Sequence, residues 1–154
     1  MHLKPKDYFF VGIQFLLFLL YLIDLEVIEF SLPYFFRIIG LILTISGLIV
    51  LLLALLQLNK NLSPFPTPKT NSELVQSGLY KYIRHPIYTG IILNFFGYSL
   101  YSGSLIRLSI TILLYILFFY KSNYEEKMLS RQFEEYSSYK KKTGRFFPVY
   151  RSKK

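Results

Sequence analysis

A chain of 154 residues with 53% hydrophobic residues, 19% aromatic residues and a net charge of +9 is long enough for one domain and lies far from disordered composition. It has no cysteine, which excludes disulfides, thiolate nucleophiles and cysteine-held metal sites. The apolar residues fall in four blocks rather than being dispersed, so the chain reads as one whose solvent is partly a lipid bilayer.

The first block, Tyr8 to Ile23, follows Lys4 and Lys6 and predicts a helix over about 8–26. A secretory leader begins in the same way, but Asp24, Leu25, Glu26 and Val27 offer no small-residue cleavage site, so the segment is expected to stay. The second block predicts a helix over 34–58, about 37 Å long, which crosses a ~30 Å hydrocarbon core with length to spare. Pro33 suits its start, and Gly40, Thr44 and Gly47 recur on one face, where small residues let another helix approach. Pro64, Pro66 and Pro68 then exclude regular helix or central strand and predict an ordered crossing loop. Pro86 is placed to open a third helix over about 86–101, and it pushes His85 toward an extended conformation. Tyr101-Ser102-Gly103-Ser104 makes a tight turn into a fourth helix over about 104–122, followed by a charged, tyrosine-rich helical tail. The expected fold is therefore all-α: a single domain over 1–154, a polytopic membrane protein of about four transmembrane helices. The last two form a hairpin, either fully spanning or tilted and partly inserted.

Of the 18 basic residues, 16 precede the first block, lie between the second and third, or follow the start of the tail at Lys121. The segment joining the first two blocks carries Asp24, Glu26 and Glu29 instead. Positive charge sets orientation, so both termini and the middle loop are expected to be cytoplasmic. Membrane orientation and attraction to anionic headgroups account for the basic balance without nucleic acid.

Dinucleotide, phosphate-loop and zinc-protease motifs are absent, and His2 and His85 are the only imidazoles, so no metal is expected. The densest constellation is Gly78-x-Tyr80-x3-Arg84-His85-Pro86-x-Tyr88-x-Gly90. Singly, these residues read as a snorkelling arginine, an interfacial aromatic belt and a packing glycine. Together they bring cationic, imidazole and phenolic groups to one helix mouth, where Arg84 and His85 could hold a carboxylate or ribose and aromatic faces a sulfonium. Gly90, Asn94 and Gly97 form a narrow stripe running into the membrane; it serves either interhelical packing or the path of an acceptor. Glu125 and Glu126 follow the fourth block near the same face, either as a solvated pair or as ligands for amino or ribose groups.

At these residues the chain resembles the isoprenylcysteine carboxyl methyltransferase and phospholipid methyltransferase superfamily of integral membrane enzymes. Val75, Gly78, Tyr80, Arg84, His85, Pro86, Tyr88, Gly90, Leu93 and Gly97 meet its first element, and Glu125, Glu126, Tyr136, Tyr139, Arg145, Phe146 and Pro148 meet its second in part. Departures are the Phe-Gly step, where Gln132 and Phe133 stand without a gap or Phe133 meets the Phe with one residue removed, and Gly144 and Leu79 where many members carry proline. The resemblance covers roughly 74–148 and implies S-adenosylmethionine as cofactor. The cofactor would be bound by Val75, Gly78, Tyr80, Arg84, His85, Pro86, Tyr88, Gly90, Glu125 and Glu126. It further implies Arg84, His85 and Arg145 as catalytic residues, with Asn94, Gly97 and Arg145 facing a membrane lipid or lipidated acceptor. A carboxylate acceptor needs no general base, whereas an amine must lose a proton to His85 or a glutamate. Two other classes fit parts of the pattern: a sterol-type reductase using NADPH, and a non-catalytic four-helix scaffold.

Overall fold

The computed structural model describes residues 3–23 and 32–149. Among the described residues five α-helices follow one another: α1 (Pro5–Leu22), α2 (Tyr34–Leu58), α3 (Pro86–Ser102), α4 (Leu105–Gln132) and the short α5 (Tyr136–Lys142). Among the described residues there is no β-strand, only an isolated parallel bridge between Ile83 and Gly144. Helices α1, α2 and α4 are long and apolar enough to cross a membrane. The exposed leucines, isoleucines and phenylalanines along α1, α2 and α4 are what a lipid solvent requires.

Helix α1 begins earlier than its apolar block because Pro5 occupies the first helical position and the Asp7 carboxylate accepts from the Lys4 amide at 2.7 Å. The expected extension to Glu26, and the acidic segment with Asp24, Glu26 and Glu29, lie outside the described residues. Helix α4 departs most from expectation: it runs unbroken to Gln132, ten residues past the expected end at 122. Nothing between Lys121 and Gln132 is Gly or Pro, and the polar sequence there is rich in helix formers. Glu125 and Glu126 therefore ride on a rigid rod continuous with the membrane segment rather than on a separate tail.

Helix α3 lies between α2 on one side and α4 on the other, and α1 packs on α4. The α2–α3 contact is the most extensive between helices among the described residues. A Cβ on Gly40 would stand 2.6 Å from the Gly97 carbonyl oxygen, and one on Gly90 would stand 2.7 Å from the Leu51 amide. Asn94 donates its side-chain amide to the Thr44 carbonyl at 3.0 Å. The stripe of Gly90, Asn94 and Gly97 is thus filled by the Gly40 and Gly47 face of α2, and the expected acceptor path along it is occupied by backbone. Both glycine faces were visible in the sequence; that they face each other was not.

On the far side of α3 from α2 a buried core forms from Leu17 and Tyr21 of α1, Ile91 of α3, and Leu114, Leu117 and Phe118 of α4. At the opposite end from the α3–α4 turn, the proline loop is fastened over the bundle. Thr67 donates to Asp7 from its amide at 3.1 Å and its hydroxyl at 2.8 Å, and the Tyr8 and Phe65 rings meet edge to face.

Candidate functional site

The site is assembled by a short backbone pairing. The Arg84 amide donates to the Gly144 carbonyl at 2.9 Å, the His85 amide to the Arg145 carbonyl at 3.1 Å, and the Gly144 amide to the Tyr82 carbonyl at 3.1 Å. Pro86 is the first residue of α3, and His85 before it is non-helical at φ −125° and ψ 60°. Gly78 adopts φ +58° beside the Gln57 side chain, which is the left-handed turn that starts this approach. Two segments some sixty residues apart thereby bring Arg84, His85 and Arg145 to the mouth of α3.

Glu126 is the hub. Only 2% of its side chain is exposed, and its Oε1 lies 2.9 Å from Arg84 Nε, 3.3 Å from His85 Nε2 and 3.5 Å from Arg145 Nε. Its Oε2 pairs with Lys140 Nζ at 2.7 Å. Arg84 is held elsewhere too, since its Nη1 donates to the carbonyl oxygens of Thr143 and of Lys140. Glu125 serves the other face of the imidazole. Tyr88 donates to Glu125 Oε2 at 3.0 Å, and His85 Nδ1 stands 3.7 Å from the same oxygen. The Tyr88 ring stacks between His85 at 5.4 Å and Phe118 at 4.5 Å, which fixes the imidazole plane.

Beside this network lies a cavity of about 340 Å³, within the usual range for small-molecule sites. Its walls come from all four long helices, the proline loop and α5. Of the expected cofactor residues, Val75, Tyr80, Arg84, His85, Tyr88 and Glu125 line it. Gly78, Pro86 and Gly90 shape backbone around it instead, and Glu126 is buried behind the wall. Asn94 and Gly97 lie in the α2–α3 contact. Arg145 does not line the cavity; it sits beyond Glu126 with its guanidinium 4.9 Å from the Phe119 ring.

Tyr80, Tyr136 and Tyr139 form an aromatic side of the cavity. Burial pushes the Tyr139 phenol up to about 12, with the charge of Arg84 pulling it down and that of Glu126 adding to the rise. Burial also raises Tyr80 and Tyr136, so all three stay neutral phenols at physiological pH. Tyr139 donates to the Tyr80 carbonyl at 2.6 Å. The Tyr136 hydroxyl is buried and has no hydrogen-bond partner among the described residues.

Sequence reasoning missed Lys121 and Gln14. Lys121 is 1% exposed, lines the cavity, and donates to Gln14 Oε1 at 2.7 Å and to the Pro64 carbonyl at 2.9 Å. The available signals were an ammonium one helical turn before Glu125 and an amide inside the first apolar block.

A solved structure described as the eukaryotic intramembrane Ras methyltransferase ICMT (isoprenylcysteine carboxyl methyltransferase) shares this fold, with a TM-score of 0.67 at 21% sequence identity. The match covers 97% of the present chain and 55% of that one, so the chain spans about half the length of the protein it matches. No curated protein matches the sequence. The family described as phospholipid methyltransferase matches residues 35–136, two thirds of the chain and a segment that holds α2, α3, α4 and the Arg84–Glu126 hub. The protein is a member of the phospholipid methyltransferase family, built as an integral membrane bundle.

Proposed function

We propose that the protein transfers a methyl group from S-adenosylmethionine to a lipid or lipidated acceptor at the membrane surface. The observation that carries this reading is the cavity at the mouth of α3, in a chain of this family, with His85, Tyr88 and Glu125 in its wall. The residues suit such a donor: a carboxylate on Glu125, phenols on Tyr80 and Tyr136, an ammonium on Lys121, and aromatic faces that favour a cation. When bound, S-adenosylmethionine supplies a methyl group on a sulfonium that is already an activated electrophile. The chain's own contribution is then positioning and exclusion of water.

Glu125, held by Tyr88, accepts hydrogen bonds from the donor's hydroxyl or amino groups. His85, fixed by stacking on Tyr88, faces a glutamate through each ring nitrogen, and its Nδ1 can take the proton that an amine acceptor releases. Arg84, bonded to Glu126 through Nε and to Thr143 through Nη1, ties the loop to α4 at the edge of the cavity. Arg145, with a buried Nη1 that has no partner among the described residues, is the cation for the acceptor's polar end. In this reading Lys4, the proline loop and α5 face the cytoplasm, because the basic residues collect at that end.

The test is to reconstitute the purified protein in vesicles of total membrane lipid, supply methyl-labelled S-adenosylmethionine, and identify the labelled product. Label in a lipid fraction is the expected result. Binding of NADPH without binding of S-adenosylhomocysteine would sink the reading and favour the reductase class.

A further inference from the structure

Lys121 is a fully buried ammonium in a cavity wall, and among the described residues it has no ion-pair partner. Its two hydrogen bonds go to neutral oxygens, on Gln14 and Pro64, and its Nζ lies 5.5 Å from the centre of the Tyr88 ring. The carboxylates that act on it from further away are both engaged by other donors. Asp7 accepts from Thr67 and the Lys4 amide, and Glu125 accepts from Tyr88. An ammonium has three N–H donors, so one remains after Gln14 and Pro64. Neither carboxylate contacts the ammonium, and a buried charge without a direct counter-ion is unfavourable, a cost that distant carboxylates, neutral oxygens and one aromatic face offset only in part. Arg84, which the sequence suggested for binding an anion, already has its charge paired with Glu126 and its Nη1 bonded to Thr143, so Lys121 is the buried cavity cation without an ion-pair partner among the described residues.

We infer that Lys121 is an anion-binding residue of the cavity, pairing with a carboxylate or phosphate of a molecule bound there. This inference rests on the methyltransferase reading above and assigns it a contact. The anion comes from one of two sources: the amino-acid carboxylate of the methyl donor, or a charged group of the acceptor.

Full-length protein in lipid nanodiscs separates them. Lys121→Met is titrated with S-adenosylhomocysteine and with its decarboxylated analogue, and the apparent KM for acceptor is measured with vesicles of total membrane lipid. With the donor carboxylate as the anion, affinity for S-adenosylhomocysteine falls about tenfold or more. Affinity for the decarboxylated analogue stays unchanged, and Lys121→Arg retains part of the binding. With the acceptor as source, nucleotide affinity is unchanged and the apparent KM rises instead. Asp7→Asn is the comparator, since it loosens the same proline loop without removing a cavity cation. Equal losses for both nucleotides, reproduced by Asp7→Asn, would make Lys121 a tie between α4 and the loop and overturn the inference. Unchanged affinities with unchanged KM would overturn it as well. Wild-type protein binding neither nucleotide would instead bring down the donor reading, and this inference with it.

Discussion

Arg84 and Glu126 form an ion pair at 2.9 Å with 7% and 2% of their side chains exposed, so the charges that the sequence places at a membrane surface are in fact buried. Removing one partner of a buried pair leaves an uncompensated charge, which costs about 3–5 kcal/mol. Lys140, Arg145 and His85 remain beside Glu126 when Arg84 is lost, which places Arg84→Ala near the lower end, at about 3 kcal/mol. Arg84→Ala should therefore lower the thermal midpoint markedly, and lysine should rescue only part, because a point charge cannot serve Glu126 and Thr143 together. Thermal unfolding in detergent decides this; an unaltered midpoint would mean that the hub contributes little.

Glu125 is expected to behave in the opposite way. It lines the cavity, a quarter of its side chain is exposed, and it accepts from Tyr88. Glu125→Gln retains an acceptor for Tyr88 but removes the charge. We expect affinity for S-adenosylhomocysteine to fall by about tenfold with little change in thermal midpoint. Calorimetric titration beside a melting curve reads both quantities, and a stability loss equal to that of Arg84→Ala would assign Glu125 to the hub.

The helices were legible because a bilayer enforces long apolar runs, and the Arg84-His85-Pro86 mouth was legible because proline marks a helix start. The division of labour between the two glutamates was not. Adjacent residues on a helix point about 100° apart, so one turns into the hub and the other to the cavity. Only the packing of α4 on α3 decides which. The same holds for Gly90 and Gly97: a small-residue stripe looks alike whether a lipid chain or a second helix lies on it, and the choice was made by Gly40 and Gly47 some fifty residues away. Lys121 was hidden for a different reason, since a lysine at the end of an apolar block normally reaches for water.

Gly90→Leu and Gly97→Leu should consequently destabilise the protein rather than block an acceptor path selectively. A Cβ at either position meets backbone of α2, and backbone cannot move aside as a flexible side chain can. Even Gly90→Ala is expected to cost about 1–3 kcal/mol as overpacking. Melting curves and nucleotide binding should fall together. A Leu variant of wild-type stability with lost methyl transfer would restore the acceptor path along this stripe.

Tyr139 gives the protein an alkaline limit. Its folded value, about 12, lies above the ordinary phenol value of 10.0, so above that value the unfolded chain binds fewer protons than the folded one. The stability it contributes is complete below pH 10 and is lost as pH rises toward 12. Tyr80 and Tyr136 are raised as well and add loss over the same window and beyond. Unfolding midpoints measured from pH 8 to 11.5 should fall above pH 10, and Tyr139→Phe should fall less steeply. Equal slopes for the variant and the wild type would show that Tyr139 does not set the limit.

Orientation follows from the ends of the bundle. Thr67 of the proline loop bonds to Asp7, Gln132 at the end of α4 donates to the Lys69 carbonyl, and Arg84 pairs with Gly144, so the start of α1, the loop and the tail share one end. That end carries 13 of the 15 basic residues among those described, whereas Arg37 and Arg107 lie toward the other. Lysine and arginine are retained on the cytoplasmic side during insertion, so the cavity should open there, where a nucleotide-derived methyl donor is available. The absence of cysteine makes single-cysteine labelling clean. In intact cells, a membrane-impermeant maleimide should reach Tyr101→Cys at the α3–α4 turn, where the side chain is 44% exposed, and should reach Ser72→Cys only after permeabilisation. Labelling of Ser72→Cys from outside would invert the protein, place the cavity away from the cytoplasmic donor, and remove the main support for a cytoplasmic methyl transfer.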